Sequence, residues 1–258
     1  MSLFVPESEI AHNVKIKSFP LAGIEKMTVC NRPIFREPGW EPVGSPEGEA
    51  GKPQDPDADP RADNVRRAKD KVFELALLNT FTHFVTWTLS PQEIDRYDPA
   101  EVSKKLKKYL QNQVQRRAAA YIVIPERHKD GAIHMHGLIR GNFDFEDSGR
   151  VTVKSQKVYN MPQWTLGFST AVELDGNVQR IARYITKYIT KALEKIFGNF
   201  YYAGGDLIRK PAVRLLDADF DGVQEREYIA AKFGDWKLAF KYVGLEMAGE
   251  EVDDYDIA

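Results

Sequence analysis

The segments Tyr121-Ile-Val-Ile-Pro-Glu126 and Ala132-Ile-His-Met-His-Gly-Leu-Ile139 flank the polar turn His128-Lys129-Asp130-Gly131. β-branched and aliphatic residues on both sides of a short Asp-Gly turn predict a β-hairpin. His134 and His136 are two residues apart on the second strand, so their imidazoles leave the same face. A turn centred on Asp130 sets Glu126 directly opposite His134, on that same face. Two neutral imidazoles and one carboxylate suit Mn²⁺ or Mg²⁺ assisted by waters, with positions left open for substrate oxygens. A register slip of one pair would replace Glu126 by His128 as third ligand. Glu173 and His83 are more distant candidates.

Outward from the hairpin, helices and strands alternate. Val65, Ala68, Val72, Phe73, Leu75, Ala76 and Leu78 recur at helical spacing over 61–79, and Phe81–Leu89 reads as a strand ended by Ser90-Pro91. A helix is predicted over 99–117, with Val102, Leu106, Tyr109, Leu110 and Val114 on one side. Its other side carries Lys104, Lys105, Lys107, Lys108, Arg116 and Arg117, a face open to solvent or to phosphates. Another strand runs from Gly167 to Leu174. Asp175-Gly176-Asn177 then opens a helix over 178–196, stopped by Gly198.

That last helix repeats Tyr-Ile-Thr-Lys in tandem, as Tyr184-Ile-Thr-Lys187-Tyr188-Ile-Thr-Lys191. Val178, Ile181, Ile185, Ile189, Ala192 and Ile196 form one apolar stripe, which must face a core. Tyr184 and Tyr188 fall at its border, one turn apart, and Arg180, Arg183, Lys187 and Lys191 cover the adjoining face. Boundary tyrosines commonly just reach water with their hydroxyls. A phenol beside cations can also attack a phosphodiester, because the cations lower the cost of phenolate and of charge on the phosphate oxygens.

The net charge of −2, taken alone, opposes a nucleic-acid partner, but it is an average over unlike segments. Residues 41–63 hold seven acids and two bases, and residues 217–258 hold twelve acids and four bases, which leaves +11 on the other 193 residues. The body is basic. Residues 36–63 also carry six of the 14 prolines and read as a flexible acidic loop. The single cysteine, Cys30, excludes an internal disulfide framework and a multi-cysteine zinc site. No run is long and apolar enough for a membrane span and the first residues lack a signal pattern, so a cytoplasmic protein with no membrane partner is expected. Two further segments, 225–233 and 236–245, read as elements of no clear type.

Three segments in order resemble the HUH endonucleases, specifically the rolling-circle replication initiators of plasmids and phages. Phe84-Val-Thr-Trp-Thr-Leu-Ser90 is similar to their first motif, Ile133-His134-Met135-His136-Gly137-Leu138-Ile139 to the histidine-hydrophobic-histidine metal motif, and Tyr184 to Lys191 to the two-tyrosine form of the third. The resemblance spans about 64–197. It implies an α+β fold with a central antiparallel sheet of ferredoxin-like or RRM-like character and helices packed on one face. It implies His134 and His136 as metal ligands with Glu126 as the acidic third, and Tyr184 and Tyr188 as nucleophiles that the sequence does not rank. Lys187 and Lys191 would hold phosphate or stabilise charge; Arg180, Arg183, Lys104, Lys105, Lys107 and Lys108 would contact DNA.

The implied activity is nicking of single-stranded origin DNA, presented as a hairpin, through a 5′-phosphotyrosyl intermediate with a free 3′-OH, followed by rejoining. The domains expected are 1–63, a nicking domain over 64–216, and an acidic region over 217–258. Gly51-Lys52-Pro53 is only a near-miss for a phosphate-binding loop, so unwinding falls to a host helicase and synthesis to a host polymerase. A relaxase or transposase using the same chemistry, or a non-catalytic RRM-like nucleic-acid binder, are the alternatives. Deleting 217–258 should strengthen nonspecific DNA binding unless that segment contributes to a core.

Overall fold

The structure, a computed structural model, describes residues 11–36, 60–191, 195–218, 231–233 and 236–244. Most of the acidic loop predicted over 36–63 and of the acidic C-terminal region lies outside these residues. The chain divides into two compact units, one built on residues 60–210 and one on the segments before and after it.

The larger unit is organised by the predicted hairpin. β4 (Ala120–Arg127) and β5 (Ile133–Arg140) pair antiparallel with Glu126 opposite His134 and Ile124 opposite His136. β5 is buried over nearly its whole length, which explains why its sequence is a near-continuous apolar run rather than an alternating one. β3 (His83–Leu89) lies beside β5, and β8 (Gly167–Glu173) lies beside β3. β6 (Glu146–Val151), β7 (Lys157–Asn160) and β9 (Tyr202–Gly204) extend the edges, giving the order β6-β7-β8-β3-β5-β4-β9 with every pairing antiparallel. These three strands are short or exposed and carry no clear alternation, so the sequence reading leaves them untyped. The α+β class and the central antiparallel sheet of ferredoxin/RRM-like character are as the sequence predicts.

Side-chain alternation divides the sheet into two faces. On one, Val85, Trp87, Val123, Ile133, Met135 and Ile139 pack with Val102, Leu106 and Leu110 of α2 (Pro99–Arg117), which forms the helical layer behind the sheet. α2 starts where Asp98 accepts a hydrogen bond from the Ala100 amide, with Pro99 in its first turn. Trp87 is fully buried and lies across β5 at Gly137, where a Cβ would come within 2.7 Å of the indole and 2.9 Å of the Ile122 carbonyl oxygen. A Gly137→Ala variant is therefore expected to lose about 1–3 kcal/mol, read by denaturant unfolding, because neither backbone nor a buried indole can give way cheaply.

The opposite face carries Phe84, Thr86, His134, His136, Leu138, Ile122 and Ile124. It is covered by α3 (Val178–Lys191), which contacts β4 and β5 and packs in turn against α1 (Pro60–Leu78). Residues 192–194 lie outside the described part, and 195–198 form a turn rather than the continuation of α3 predicted to 196. Asn79, just after α1, is buried and ties the helix end to the chain near residue 208. Its side-chain amide donates to the carbonyls of Leu75 and Ile208 and accepts from the Ile208 amide.

In the smaller unit, β1 (Val14–Phe19) and β2 (Ile24–Cys30) form a hairpin, and β10 (Ala212–Leu216) pairs with β1. β12 (Trp236–Val243) pairs with β2, and β11 (Ala231–Phe233) pairs with β12. The strand order is β10-β1-β2-β12-β11. The N-terminal and C-terminal segments, read from sequence as two separate appendages, thus share one sheet. Strand pairing between residues so far apart in the chain leaves no local signal. The deletion of 217–258 would strip β11 and β12 from this sheet, which meets the condition that the sequence reading attached to it. Cys30 is buried with a free thiol. Among the described residues no helix is long and apolar enough to cross a membrane.

Candidate metal centre and two-tyrosine helix

Antiparallel pairing lines up two rows across the larger sheet. One row reads Phe168, Thr88, His134, Glu126 and the next reads Thr170, Thr86, His136, Ile124. Directly paired residues project from the same face, so both histidines and Glu126 converge without help from any loop. The Nε2 atoms of His134 and His136 are 2.8 Å apart, and one Glu126 carboxylate oxygen lies 3.4 Å from the first and 3.1 Å from the second. The three donor atoms lie within 4.8 Å of one another, and both histidines are buried. Burial alone would raise the Glu126 pKa. Hydrogen bonds and charge from His134 and His136 outweigh it and hold the carboxyl well below the usual carboxylate range, so it is ionised.

This donor set fits a divalent metal ion. Thr86 Oγ1 lies 3.1 Å from His136 Nδ1. With the Nδ1 proton donated to that hydroxyl, the Nε2 lone pair is left facing Glu126 and His134, the tautomer a ligand needs. His134 Nδ1 is buried with no hydrogen-bond partner among the described residues. The other candidates are not in the cluster. His83 and Glu173 are paired with each other on the face that α2 covers, where His83 stacks on Phe145 at 3.9 Å. His128 has its ring 4.1 Å from that of His134, but the hairpin register is the one that selects Glu126.

α3 brings the tyrosines to this face. Its start is fixed by Asn177, whose side chain accepts from the Arg180 amide, and by Asp175, which accepts from the Asn177 amide. Ile181, Ile185 and Ile189 are buried as the stripe predicts. Tyr184 and Tyr188 are placed at the border of the stripe by sequence, yet they are 7% and 3% exposed. The reason is that the sheet face beneath them offers aromatic surface. Tyr188 stacks on the His136 ring at 3.8 Å, and Phe84 meets Tyr184 edge-on at 4.9 Å and Tyr188 at 5.8 Å. The Tyr188 hydroxyl donates to the Tyr184 oxygen at 2.8 Å. Lys187 holds its ammonium 4.0 Å from the Tyr184 ring centroid and 5.5 Å from that of Tyr188.

The remaining cations are distributed differently. Arg180 pairs with Asp175, and Arg183 bonds Gln179 one turn back on α3. The side chain of Lys191 lies outside the described residues. Lys104, Lys105, Lys107 and Lys108 are on α2, behind the sheet, so the structure does not bring them to the histidines or the tyrosines. Lys105 pairs with Glu101 at 3.4 Å and donates to the Glu93 carbonyl, and Lys107 lies over the Tyr202 ring.

Two residues of this face escaped the sequence reading. Thr86 orients His136, and Phe168 stands at the end of the His134 row with 75% of its surface exposed. Period-two alternation places each on one side or other of its own strand. Only the pairing of β3 with both β5 and β8 shows which side that is.

The family model for the replication-associated proteins of the ORF2 group matches residues 82–193, a span that contains β3, the histidine hairpin and α3. The Phasyl DNA replicon protein arp of Escherichia coli is 29% identical over 113 residues, covering 38% of this chain and 40% of that protein. The alignment thus spans less than half of either chain. No solved structure matches the chain. Both likenesses are to replication proteins, and the region matched by the family model contains the whole candidate site.

Proposed function

We propose that this protein is a rolling-circle replication initiator of the HUH type, which nicks single-stranded origin DNA and rejoins strands through a tyrosine. The observation that carries the reading is the stacking of Tyr188 on His136. Two buried phenols, hydrogen-bonded to each other, sit against one side of a three-donor metal centre on a sheet face that also carries an exposed aromatic. The two likenesses to replication proteins support it. The other nicking enzymes, relaxases and transposases, share the chemistry and differ in the DNA they recognise.

Glu126, His134 and His136 would hold the ion, and Mn²⁺ or Mg²⁺ bound there supplies Lewis-acid polarisation of a phosphate oxygen. The chain's own groups do the rest. The phenolic oxygen of Tyr184 or Tyr188 forms a bond to phosphorus as the bond from phosphorus to the 3′ oxygen breaks. The phenol gives up its proton, and the 3′ oxygen gains one. The products are a 5′-phosphotyrosyl enzyme and a 3′-OH able to prime synthesis. Rejoining is the reverse attack, and a second tyrosine cuts a new junction while the first still holds DNA. Lys187, with its ammonium beside both rings, stabilises the phenolate and the charge gathering on the phosphate.

The direct test is incubation with single-stranded oligonucleotides and Mn²⁺ or Mg²⁺, followed by denaturing electrophoresis. A covalent protein-DNA adduct that requires the metal is expected. An adduct unaffected by chelation would overturn the metal-assisted mechanism.

Two further residues take defined parts. Phe168 stacks on a base flanking the scissile phosphate, since it lies two strand spacings, about 10 Å, from His134 on the same face. Phe168→Ala is expected to weaken single-stranded DNA binding by about 1–3 kcal/mol in fluorescence anisotropy, with Phe168→Tyr close to wild type. Equal affinities for all three proteins would remove Phe168 from the interface. Thr86 is a positioning residue for His136. Thr86→Val should lower Mn²⁺ affinity by about 10–100-fold, measured by metal titration, while the fold is kept.

A further inference from the structure

Behind the sheet, on the face away from the candidate metal centre, α2 and the chain around residues 142 and 163–166 enclose a cleft of about 720 Å³. That volume is in the range of small-molecule sites. Two of its cations are already neutralised: Lys105 by Glu101, and Arg117 by Asp144 at 2.7 Å. Lys108 and Arg116 also line it, two turns apart on α2, and neither has an acidic partner among the described residues. They present uncompensated positive charge to the cleft.

The polar groups between these cations are unsatisfied. Gln113 is 8% exposed and its side-chain oxygen has no hydrogen-bond partner among the described residues. Both side-chain amide atoms of Gln163 are likewise buried and unpartnered. Proteins seldom leave buried polar groups unmet, and a concentration of them at one cleft marks atoms whose partner arrives from outside. An inorganic anion would satisfy the two cations but not the amides. An amide offers donor and acceptor side by side, which matches the edge of a nucleobase. Tyr109 adds a buried ring and hydroxyl to the same wall.

We infer that this cleft is a second nucleotide-binding site, with Lys108 and Arg116 holding a phosphate and Gln113 and Gln163 meeting the attached base. It is separate from the nicking centre and does not depend on the nicking reading. The nucleotide is either free or part of a DNA strand that passes behind the sheet.

The test is calorimetric titration of the full chain, in a chelator so that the metal centre is not engaged. The probes are each deoxynucleoside monophosphate alone and a 5′-phosphorylated hexanucleotide. Binding is expected, with hydrogen-exchange protection over α2. Lys108→Ala with Arg116→Ala should weaken it about tenfold or more. Gln113→Leu exchanges an unsatisfied amide for an apolar group of similar size, so it should leave the melting temperature unchanged or raised while weakening binding severalfold. Tight binding of a monophosphate identifies a free nucleotide, and binding of the hexanucleotide alone identifies a strand. Absence of binding by every probe at millimolar concentration, or equal affinity in wild type and both variants, overturns the site.

Discussion

The double variant Tyr184→Phe, Tyr188→Phe is expected to lose covalent adduct formation with single-stranded DNA by a factor of about 10³ or more, because no other group takes over a covalent nucleophile's part in the same geometry. Phenylalanine keeps both rings, so the stack on His136, the contacts with Phe84 and the ammonium of Lys187 above the rings are all retained. The two changes also delete the donor and the acceptor of the 2.8 Å hydroxyl pair together. Removing both ends of a hydrogen bond is close to neutral for stability, whereas removing one end is not. The double variant is therefore a cleaner probe than either single change, and its melting temperature should stay near that of the wild type. Persistence of the adduct would show that the tyrosines of α3 are not the nucleophiles.

His136→Ala is expected to abolish metal-dependent cleavage and to lower Mn²⁺ affinity by about two orders of magnitude or more, while single-stranded DNA binding changes little. His136 is at once a donor atom 3.1 Å from the Glu126 carboxylate, the partner of Thr86, and the surface on which Tyr188 rests. Its loss therefore acts on ligand and nucleophile position together. Glu126→Gln separates the two effects, since it keeps the size of the side chain and removes only the charge. Metal affinity should fall in both variants, and the melting temperature should fall only in His136→Ala. Unchanged cleavage in His136→Ala would remove the hairpin from the reaction.

The hairpin could be read in full from its own residues. A short Asp-Gly turn and two apolar strands leave one good register, and that register alone sets Glu126 against His134. The same is true of the buried isoleucine stripe of α3, since helical period needs no knowledge of neighbours. The burial of Tyr184 and Tyr188 could not be read this way. A residue at the edge of a stripe is covered or not according to what lies beneath, and here Phe84 and His136 come from strands far earlier in the chain.

The lysines of α2 show the converse. Their spacing on one helix face is plain in the sequence, but a helix can pack on either side of a sheet, and this one packs behind it through Val102, Leu106 and Leu110. The cations expected beside the nicking chemistry therefore lie on the other side of the sheet, where two of them line a different cleft. β1 and β2 likewise find partners in β10 and β12 near the other end of the chain, a pairing that the composition of either segment does not announce.

What this sequence determines by itself is local: the turn, the strand register that gathers three metal donors, and a helix with two tyrosines one turn apart. The tertiary structure alone decides which of these meet. That division follows from the forces involved. Turn geometry and side-chain period act over a few residues and are written in residue order, whereas the burial of both sheet faces is a property of the whole unit, satisfied only once every layer has chosen its side.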